Sequence, residues 1–318
     1  MARVVITARS VANCQEGRDL LTAAGHEVII RTGSGPWGEA DMTEIIQGVD
    51  AAIVGLDEVS EKVLAAGAPT LKVVARNGVG YNKVAVAAAK ERGIAVTLAP
   101  GTNTISVCEL VFALMLGTAR HVCLQNEEVH EGGWQRVMGC ELYGKTLGIV
   151  GTGSIGSEVI KRAHAFGMKI LAFDLWQKQE LIDLYGAKYV SLDEIYEQAD
   201  FISLHVPATP ETKGMIQAAT IAKMKPTAIL INTARGDLIV EQDLYEALKA
   251  NQIAGYGADA MIQEPPGEDH PLLSLPNVII TPHCGAYTKE AVIRCSVTAA
   301  EEVVRVLKGE TPRYPVSQ

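Results

Sequence analysis

Short runs of β-branched residues alternate with longer amphipathic patterns through most of the chain, and this alternation constrains the fold more than any other feature. The first series predicts strands and helices from Val4 to Leu98, and the second begins at Lys145 and runs to Thr281. Ala99-Pro100-Gly101 breaks the pattern between them. Strands that alternate with helices form parallel sheets covered on both faces. The sequence therefore predicts an α/β protein with two doubly wound, parallel-sheet domains and a cleft between them.

Two long helical patterns decide how the chain is divided. One covers about residues 104–122 and follows the break, and the other covers about residues 289–308 near the end of the chain. The last helix has no sheet of its own, so we predict that it packs on the first series of strands. The first domain is then discontinuous, with residues 1–100 joined by residues 287–318, and the second domain is 101–286.

The charge balance limits the partners of the chain. There are 28 Lys and Arg residues against 37 Asp and Glu, a formal net charge of −9. A net acidic surface does not attract nucleic acid or an anionic membrane, so we expect neither as a partner. The first ten residues resemble a strand and not a signal peptide, and the longest apolar stretch, Leu110–Leu116, is far shorter than the ~20 residues of a membrane span. The six cysteines form no Cys-x-x-Cys pair, and we expect free thiols in a cytoplasmic protein.

The most informative local motif is Gly151-Thr-Gly153-Ser-Ile-Gly156, which follows an apolar strand and opens a helical pattern. In such a turn Gly151 permits the sharp bend, Gly153 lets a pyrophosphate approach the backbone, and Gly156 allows close packing of helix and strand. The helix N-terminus adds free N–H groups and partial positive charge for the phosphates. The motif predicts a dinucleotide-binding, Rossmann/flavodoxin-like domain; a glycine-rich turn without a ligand is the alternative.

Asp174 ends the next predicted strand, about 20 residues beyond the glycines. A carboxylate there accepts hydrogen bonds from an adenosine ribose and repels a 2′-phosphate. The sequence therefore predicts NAD as the cofactor, in preference to NADP.

Several polar residues follow predicted strands of the second series: His205, Arg235, Asp259 and His283. Ligands of open α/β sheets bind at the carboxyl ends of strands, although each such residue alone is more often a solvated strand end. With a dinucleotide turn, however, a cation suits a 2-oxo-carboxylate, and a histidine with a carboxylate such as Glu264 can exchange a hydroxyl proton. No two of the seven histidines have the His-x-x-x-His spacing of metal ligands, so we predict no metal.

These motifs together resemble those of the D-isomer-specific 2-hydroxyacid dehydrogenase family, and within it the 3-phosphoglycerate dehydrogenases. The resemblance covers almost the whole chain. Besides the Gly151–Asp174 segment, it rests on motifs at Arg76–Tyr81, Asn103–Glu109, Gly144–Gly148, Leu204–Pro207, Asn232–Gly236, Ala258-Asp259, Glu264-Pro265 and Thr281–Ala286.

The resemblance implies a catalytic trio of Arg235, Glu264 and His283. By analogy, His283 gives a proton to the carbonyl oxygen in reduction and takes it back in oxidation. Glu264 bonds the other ring nitrogen, and Arg235 binds the substrate carboxylate and carbonyl. The reaction implied is hydride transfer between NAD and C2 of a 2-hydroxy acid.

The resemblance also implies ligand contacts by position. The cofactor contacts are Gly151, Gly153, Ser154, Ile155, Gly156, Thr104, Asp174, Val206, Thr233, Asp259 (to the nicotinamide amide) and Gly285. The substrate contacts in the first domain are Arg76, Asn77, Gly78 and Val79, with backbone N–H groups of Gly78 and Val79 holding the carboxylate. Trp134 and Trp176 match no catalytic position, and core or interface packing is expected for them.

The substrate stays open at this stage. Phosphoglycerate-specific relatives carry an arginine in the loop after the third strand, where this chain has Asp57 and Glu58, although Arg76 and Lys83 remain available to a phosphate. Glyoxylate, hydroxypyruvate or another 2-oxo acid is therefore the alternative substrate. The chain ends at Gln318, so we expect a short form without the regulatory domain of longer relatives.

Two further expectations come from the family. Its members are commonly homodimers, and the apolar helix at Leu110–Leu116 would suit the interface. Some proteins of this fold are NAD-sensing corepressors, a rival hypothesis in which the chain binds NAD without transferring hydride.

Overall fold

The computed structural model describes residues 1–316, which divide into two compact units. Unit 1 comprises Met1–Asn103 and Tyr287–Gln318, and unit 2 comprises Thr104–Ala286. The predicted boundaries, after residues 100 and 286, lie close to these divisions. Each unit is built around a parallel sheet with helices.

Unit 1 contains a five-stranded sheet in the order β2-β1-β3-β4-β5, with every pairing parallel. This is the flavodoxin-like order of a doubly wound sheet. Its elements are β1 (Arg3–Ile6), α1 (Arg9–Ala12), α2 (Gln15–Ala23), β2 (Glu27–Ile30), α3 (Glu39–Ile45), β3 (Ala51–Val54), α4 (Glu61–Gly67), β4 (Val73–Arg76), α5 (Val86–Glu91) and β5 (Ala95–Thr97).

The last helix of the chain, α13 (Lys289–Leu307), packs on this sheet. Ala299, Ala300 and Val303 are buried in one cluster with Val4 and Ile6 of β1. The helix therefore supplies part of the hydrophobic core of unit 1, which makes this unit discontinuous in sequence.

Unit 2 contains a seven-stranded parallel sheet in the order β12-β11-β10-β9-β6-β7-β8. The order reverses between β6 and β9, as in a Rossmann domain, and ligands of such sheets bind at the carboxyl ends of the strands near this reversal. Its elements are α6 (Thr104–Ala119), α7 (Val122–His130), β6 (Thr146–Val150), α8 (Ser154–Ala165), β7 (Lys169–Phe173), α9 (Gln179–Tyr185), β8 (Lys188–Tyr189), α10 (Leu192–Gln198), β9 (Phe201–Leu204), α11 (Ala218–Ile221), β10 (Ile229–Asn232), α12 (Glu241–Lys249), β11 (Gly255–Ala258) and β12 (Val278–Ile280), with two 3-10 helices, Gly236–Leu238 and Pro271–Ser274.

Helix α6 is largely apolar because most of its side chains are buried in unit 2. Val111, Phe112, Leu114 and Met115 belong to the core cluster on one face of the sheet. A Cβ on Gly257 would lie 3.1 Å from the Leu114 Cβ, so the absence of a side chain there lets α6 approach β11 closely. Most apolar side chains of the Leu110–Leu116 segment are thus already packed in the core of unit 2, and its role in a dimer interface stays a prediction.

The predicted helix over residues 104–122 was also too long. Helix α6 ends at Ala119, and His121 adopts the left-handed conformation with φ of 52°. A second helix, α7, begins at Val122 and buries none of its residues. The sequence analysis missed it because it has no amphipathic pattern to indicate a buried face. Among residues 1–316 no single helix is long and apolar enough to cross a membrane; α6 and α7, bent by 63°, meet that test only as a pair.

Candidate active site

The glycine-rich turn lies at the carboxyl end of β6, beside the end of β9. Gly151 has φ of 99°, and a Cβ on it would lie 2.7 Å from the carbonyl oxygen of His205. A Cβ on Gly156 would overlap the carbonyl oxygen of Gly151. By contrast, nothing lies within 4 Å of the Cβ position of Gly153. The turn is thus closed on the protein side and open at Gly153, where α8 begins, which fits the approach of a pyrophosphate.

Asp174 follows β7 and is tied directly to this turn. Its Oδ2 accepts hydrogen bonds from the N–H of Thr152 at 2.6 Å and from the Thr152 Oγ1 at 3.1 Å, while Oδ1 accepts from the Trp176 N–H at 3.2 Å. Burial alone would raise the pKa of Asp174, but the hydrogen bonds from Thr152 and Trp176 hold it below its ordinary value. Besides the predicted ribose contact, the carboxylate therefore positions the glycine-rich turn, a role that the sequence analysis missed.

The remaining predicted cofactor residues of unit 2 lie at or near strand ends and helix starts: Ser154, Ile155, Val206, Thr233 and Thr104. Thr233 follows β10, and its buried Oγ1 has no hydrogen-bond partner among the described residues. An orphaned buried hydroxyl is rare without a ligand or water. This position is therefore chemically suited to a polar group of the cofactor.

His205 follows β9, and its Nε2 lies 2.9 Å from Ser203 Oγ. Burial lowers the pKa of His205 to about 4, so the ring is neutral near pH 7. Its backbone N–H donates to the carbonyl of Val150 at 2.7 Å, which places the residue against the end of β6. The arrangement indicates a structural histidine beside the turn.

The predicted acid–base pair is formed in the structure. Nδ1 of His283 lies 2.8 Å from Oε2 and 2.9 Å from Oε1 of Glu264. The two side chains are 35% and 33% exposed, so the pair is open to small molecules. His283 has φ of 51°, a conformation uncommon for a residue with a side chain and often found at functional sites.

Glu264 is held as a carboxylate from several directions. Its Oε1 also accepts the N–H of Met261 at 3.0 Å. Burial would raise its pKa, but the hydrogen bonds from His283 and Met261, together with the charges of His283 and Arg235, lower it. The ionised carboxylate fixes the ring of His283 through Nδ1 and leaves Nε2 as the nitrogen able to exchange a proton.

Arg235 lies between β10 and a 3-10 helix, close to the loop that carries Glu264. Its Nη1 donates to the carbonyl of Ala234 at 2.6 Å, and its own carbonyl accepts from Asn232 Nδ2 at 2.8 Å. A Cβ on Gly236 would overlap the backbone of Met261, so this glycine allows the two segments to touch. The three predicted catalytic residues thus follow β10, β11 and β12. All three lie on the side of the unit 2 sheet where the strands have their carboxyl ends.

Asp259 is buried and organises the segment around His283. Oδ1 accepts from Thr281 Oγ1 at 2.6 Å and from the Cys284 N–H at 2.8 Å, and Oδ2 accepts from the Gly285 N–H at 2.7 Å. This role as a loop anchor was not predicted. It leaves Asp259 with less capacity for the nicotinamide amide that the resemblance assigned to it.

In unit 1, Arg76 is the last residue of β4 and is buried, with Nη1 donating to the Asn77 carbonyl at 2.5 Å. The N–H of Gly78 donates to the carbonyl of Arg76 at 2.9 Å, so in this conformation it is occupied within the loop. Val79 is exposed. The predicted role of this segment in holding a carboxylate stays a prediction.

Asp57 points into unit 1 and not towards solvent. Oδ2 accepts from Thr7 Oγ1 at 2.7 Å and from the Gly55 N–H at 2.9 Å, and Oδ1 accepts from the Trp37 N–H at 2.8 Å. Only Glu58 of the two carboxylates in this loop is exposed. Of the two carboxylates that oppose a phosphate in the sequence, Asp57 is therefore buried and hydrogen-bonded within unit 1.

The structure also places the two tryptophans, the possible metal ligands and the cysteines. Trp134 and Trp176 are 83% and 81% exposed, so core packing is wrong for both. Within residues 1–316 no group of three or more His, Cys, Asp or Glu side chains is arranged to hold a metal ion. The six cysteines are free.

Comparison with known proteins gives the family. A model described as "D-isomer specific 2-hydroxyacid dehydrogenase, NAD binding domain" matches residues 112–285. The chain is 42% identical to D-3-phosphoglycerate dehydrogenase of Synechocystis sp., over 100% of this chain and 56% of that protein. It is 40% identical to glyoxylate reductase of Korarchaeum cryptofilum, over 86% of this chain and 85% of that protein.

A solved structure is also similar to this chain over nearly its whole length. The TT0316 protein from Thermus thermophilus superposes with a TM-score of 0.92 at 36% identity, over 99% of this chain and 100% of that one. The chain spans about half the length of the phosphoglycerate dehydrogenases that it matches. The family model and the relatives agree in one assignment: the chain belongs to the D-isomer specific 2-hydroxyacid dehydrogenase family.

Proposed function

We propose that the chain is an NAD-dependent oxidoreductase that transfers a hydride between nicotinamide and C2 of a D-2-hydroxy acid or its 2-oxo acid. The observation that carries this proposal is the His283–Glu264 pair, whose two ring-to-carboxylate distances are 2.8 and 2.9 Å. It lies at the carboxyl edge of the same sheet as the Gly151–Gly156 turn. A proton donor and a dinucleotide turn at one sheet edge are what reduction of a carbonyl requires.

In this mechanism bound NADH supplies the hydride for C2, and NAD accepts it in the reverse direction. His283 gives the proton on Nε2 to the carbonyl oxygen as C2 is reduced, and it takes the proton back from the hydroxyl in oxidation. Glu264 orients the ring through Nδ1. The guanidinium of Arg235 binds the substrate carboxylate and polarises the carbonyl.

We propose 3-phosphoglycerate and its 2-oxo counterpart as the first substrates to test. A phosphoglycerate dehydrogenase is 42% identical to this chain over its whole length. In addition, Asp57 is buried and hydrogen-bonded, so one of the two charges that opposed a phosphate is not presented to solvent. Glyoxylate and hydroxypyruvate are the alternative substrates, supported by the similarity to proteins with those reductase names.

A substrate panel with the purified chain, run in both directions with NAD and NADH, tests the activity. His283→Asn and Arg235→Ala should each reduce kcat/KM by at least ~100-fold while the affinity for NADH is kept. His164→Asn, at an exposed histidine of α8, is the matched control and should behave as wild type. Near-normal turnover in either active-site variant would overturn the assigned roles. Binding of NADH without hydride transfer to any 2-oxo acid would favour the NAD-sensing corepressor hypothesis.

We further propose that the chain forms a homodimer through exposed apolar side chains of unit 2, on α7 and the segment after it. Val122 and Val129 of α7 are exposed, as are Trp134, Met138 and Tyr143. A group of large exposed apolar side chains of this kind is typical of an interface. Light scattering coupled to size-exclusion chromatography should report twice the mass of the chain, and Met138→Glu should reduce it to the monomer; a monomeric wild type would remove the proposal.

A further inference from the structure

A second histidine–carboxylate pair lies in unit 2, apart from the first. Nε2 of His270 is 3.1 Å from Oε2 of Glu241, and the two side chains are only 19% and 17% exposed. The corresponding exposures of His283 and Glu264 are about twice as large. The second pair is therefore poorly placed to contact a substrate. Its hydrogen bonds to the surrounding backbone indicate a structural role.

Glu241 uses its other oxygen to hold the loop that carries Glu264. This loop, residues 259–270, connects β11 to the 3-10 helix Pro271–Ser274. Oε1 of Glu241 accepts the N–H of Ile262 at 3.0 Å. Met261, directly before Ile262, donates its N–H to Oε1 of Glu264 at 3.0 Å. Two consecutive amides of the loop are thus held by two carboxylates, one within the loop and one from α12.

The same short stretch of backbone contacts the segment that carries Arg235. A Cβ on Gly236 would overlap the backbone carbonyl carbon and oxygen of Met261 and the nitrogen of Ile262. Because Glu241 begins α12, shortly after Arg235 and Gly236, its bond to Ile262 joins both segments to one helix start. The loop that carries Glu264 is therefore anchored on the start of α12.

His270 holds Glu241 in turn. Its Nδ1 is buried and has no partner among residues 1–316, so Nε2 is the nitrogen that carries the proton donated to Glu241. The N–H of His270 also donates to the Gly267 carbonyl at 3.0 Å, which fixes the far end of the loop. The carboxylate of Glu241 is thereby restrained at both oxygens, one by each end of the loop.

We propose that Glu241 and His270 are positioning residues that keep the 259–270 loop in the conformation in which Glu264 bonds Nδ1 of His283. The proposal rests on the proposed function for its kinetic consequence, since the loop matters to turnover only if the His283–Glu264 pair exchanges the substrate proton. Its structural consequence, an ordered loop at Met261 and Ile262, does not depend on any activity.

The kinetic test compares substitutions of Glu241 with a control on the same helical turn. Glu241→Ala should lower kcat by about 10- to 100-fold, the cost of a small misplacement of a catalytic group, while KM for NADH changes less than about twofold. Glu241→Gln keeps an oxygen for the Ile262 N–H but turns an amide N–H towards His270, so kcat should fall by less than in Glu241→Ala. Asp243→Asn is the control, because Asp243 accepts the Ala218 N–H at 2.8 Å from the same turn of α12 and leaves the loop untouched.

A double substitution shows whether the effect passes through Glu264. In a Glu264→Ala background, Glu241→Ala should lower kcat by less than about twofold, because the group that it positions is already gone. A full additional loss would mean that Glu241 acts otherwise. Equal losses for Glu241→Gln and Glu241→Ala, or for Asp243→Asn and Glu241→Ala, would also overturn the proposal.

Hydrogen exchange measured by mass spectrometry separates failure of this proposal from failure of the proposed function. Without substrate, peptides spanning residues 259–270 should exchange faster in Glu241→Ala and in His270→Asn than in wild type or Asp243→Asn. Unchanged protection of these peptides would overturn the positioning role even in an active enzyme. A wild type that is inactive on every 2-oxo acid, with the loop deprotected only in the Glu241 and His270 variants, would refute the proposed function and leave the anchor established.

Discussion

Asp259 bonds the backbone N–H of Gly285 at 2.7 Å, two residues beyond His283. Its second oxygen accepts from Cys284 and Thr281, so one buried carboxylate at the end of β11 gathers the whole segment that follows β12. These two strands are neighbours in the sheet. The left-handed backbone of His283 is thus supported from the adjacent strand, which explains how an uncommon conformation persists there.

We therefore expect Asp259→Asn to reduce both stability and turnover. The amide would present N–H groups where the carboxylate accepts hydrogen bonds, at a cost of about 2–3 kcal/mol in the free energy of unfolding. The released segment should lower kcat at least ~10-fold. Urea unfolding and steady-state kinetics measure the two effects.

The control for this variant is Asp200→Asn. Asp200 directly precedes β9, so it lies where the strands of the same sheet have their amino ends. Asp200 accepts the Thr146 N–H at 2.8 Å and pairs with Lys225 at 2.9 Å. Its loss should cost comparable stability and leave kcat unchanged. If both variants lose kcat equally, the effect of Asp259 is general destabilisation and not support of His283.

Asp174→Ala should shift the cofactor preference towards NADPH. The change removes the charge that repels a 2′-phosphate, and we expect the ratio of kcat/KM for NADPH to that for NADH to rise at least ~10-fold. KM for NADH should also rise, because the N–H of Thr152 loses its acceptor. Initial rates with both cofactors measure this.

Thr152→Val separates the two roles of Asp174. It removes the hydroxyl that bonds Oδ2 at 3.1 Å but keeps the charge of Asp174. The preference for NADH should then be unchanged, with at most a modest rise in KM. A wild-type chain that prefers NADPH would contradict the assignment of Asp174 directly.

The parts of the site that depend on local sequence could be predicted from the sequence. The strand–turn–helix pattern around Gly151 and Gly156 identified the cofactor turn because the chemistry of that turn lies within a few consecutive residues. Side-chain chemistry suggested that a histidine could act with Glu264, and the family resemblance identified that histidine as His283; each of the two follows a strand of one parallel sheet.

The parts that depend on side-chain direction could not be predicted. Asp57 was counted as a surface charge, as most aspartates are, yet donors from Thr7, Gly55 and Trp37 converge on it from three parts of unit 1. The bond of Glu241 to Ile262 likewise joins residues far apart in sequence. No spacing rule indicates such contacts, because the tertiary fold alone brings the partners together.

Asp57→Asn tests whether this carboxylate influences the choice of substrate. We expect a loss of about 1–3 kcal/mol in the free energy of unfolding, because an amide cannot accept all three hydrogen bonds. The ratio of kcat/KM for a phosphorylated substrate to that for glyoxylate should change less than about twofold. Glu58→Gln, at the exposed neighbour, should leave stability unchanged; a rise of ~10-fold or more in the ratio for Asp57→Asn would show that its charge reaches the substrate.

His205 should make the stability of the chain depend on pH in mildly acidic solution. Burial lowers its pKa from the ordinary 6.5 to about 4, so between these values the unfolded chain binds a proton that the folded chain does not. The contribution of the neutral ring to the free energy of unfolding is complete above pH 6.5. It decreases as the pH falls and is fully lost below about pH 4. At pH 5 the loss reaches up to about 2 kcal/mol.

Replacement of His205 by asparagine, which has no titrating ring, should remove this dependence. The urea midpoint of wild type should fall between pH 7 and pH 5 by more than that of His205→Asn, whereas His164→Asn, at an exposed histidine of the same unit, should follow wild type. Parallel pH profiles for wild type and His205→Asn would mean that the ring gains a proton without cost to the fold. In that case the end of β9 would be open to water in solution. The assignment of His205 as a neutral histidine beside the glycine-rich turn would then be wrong.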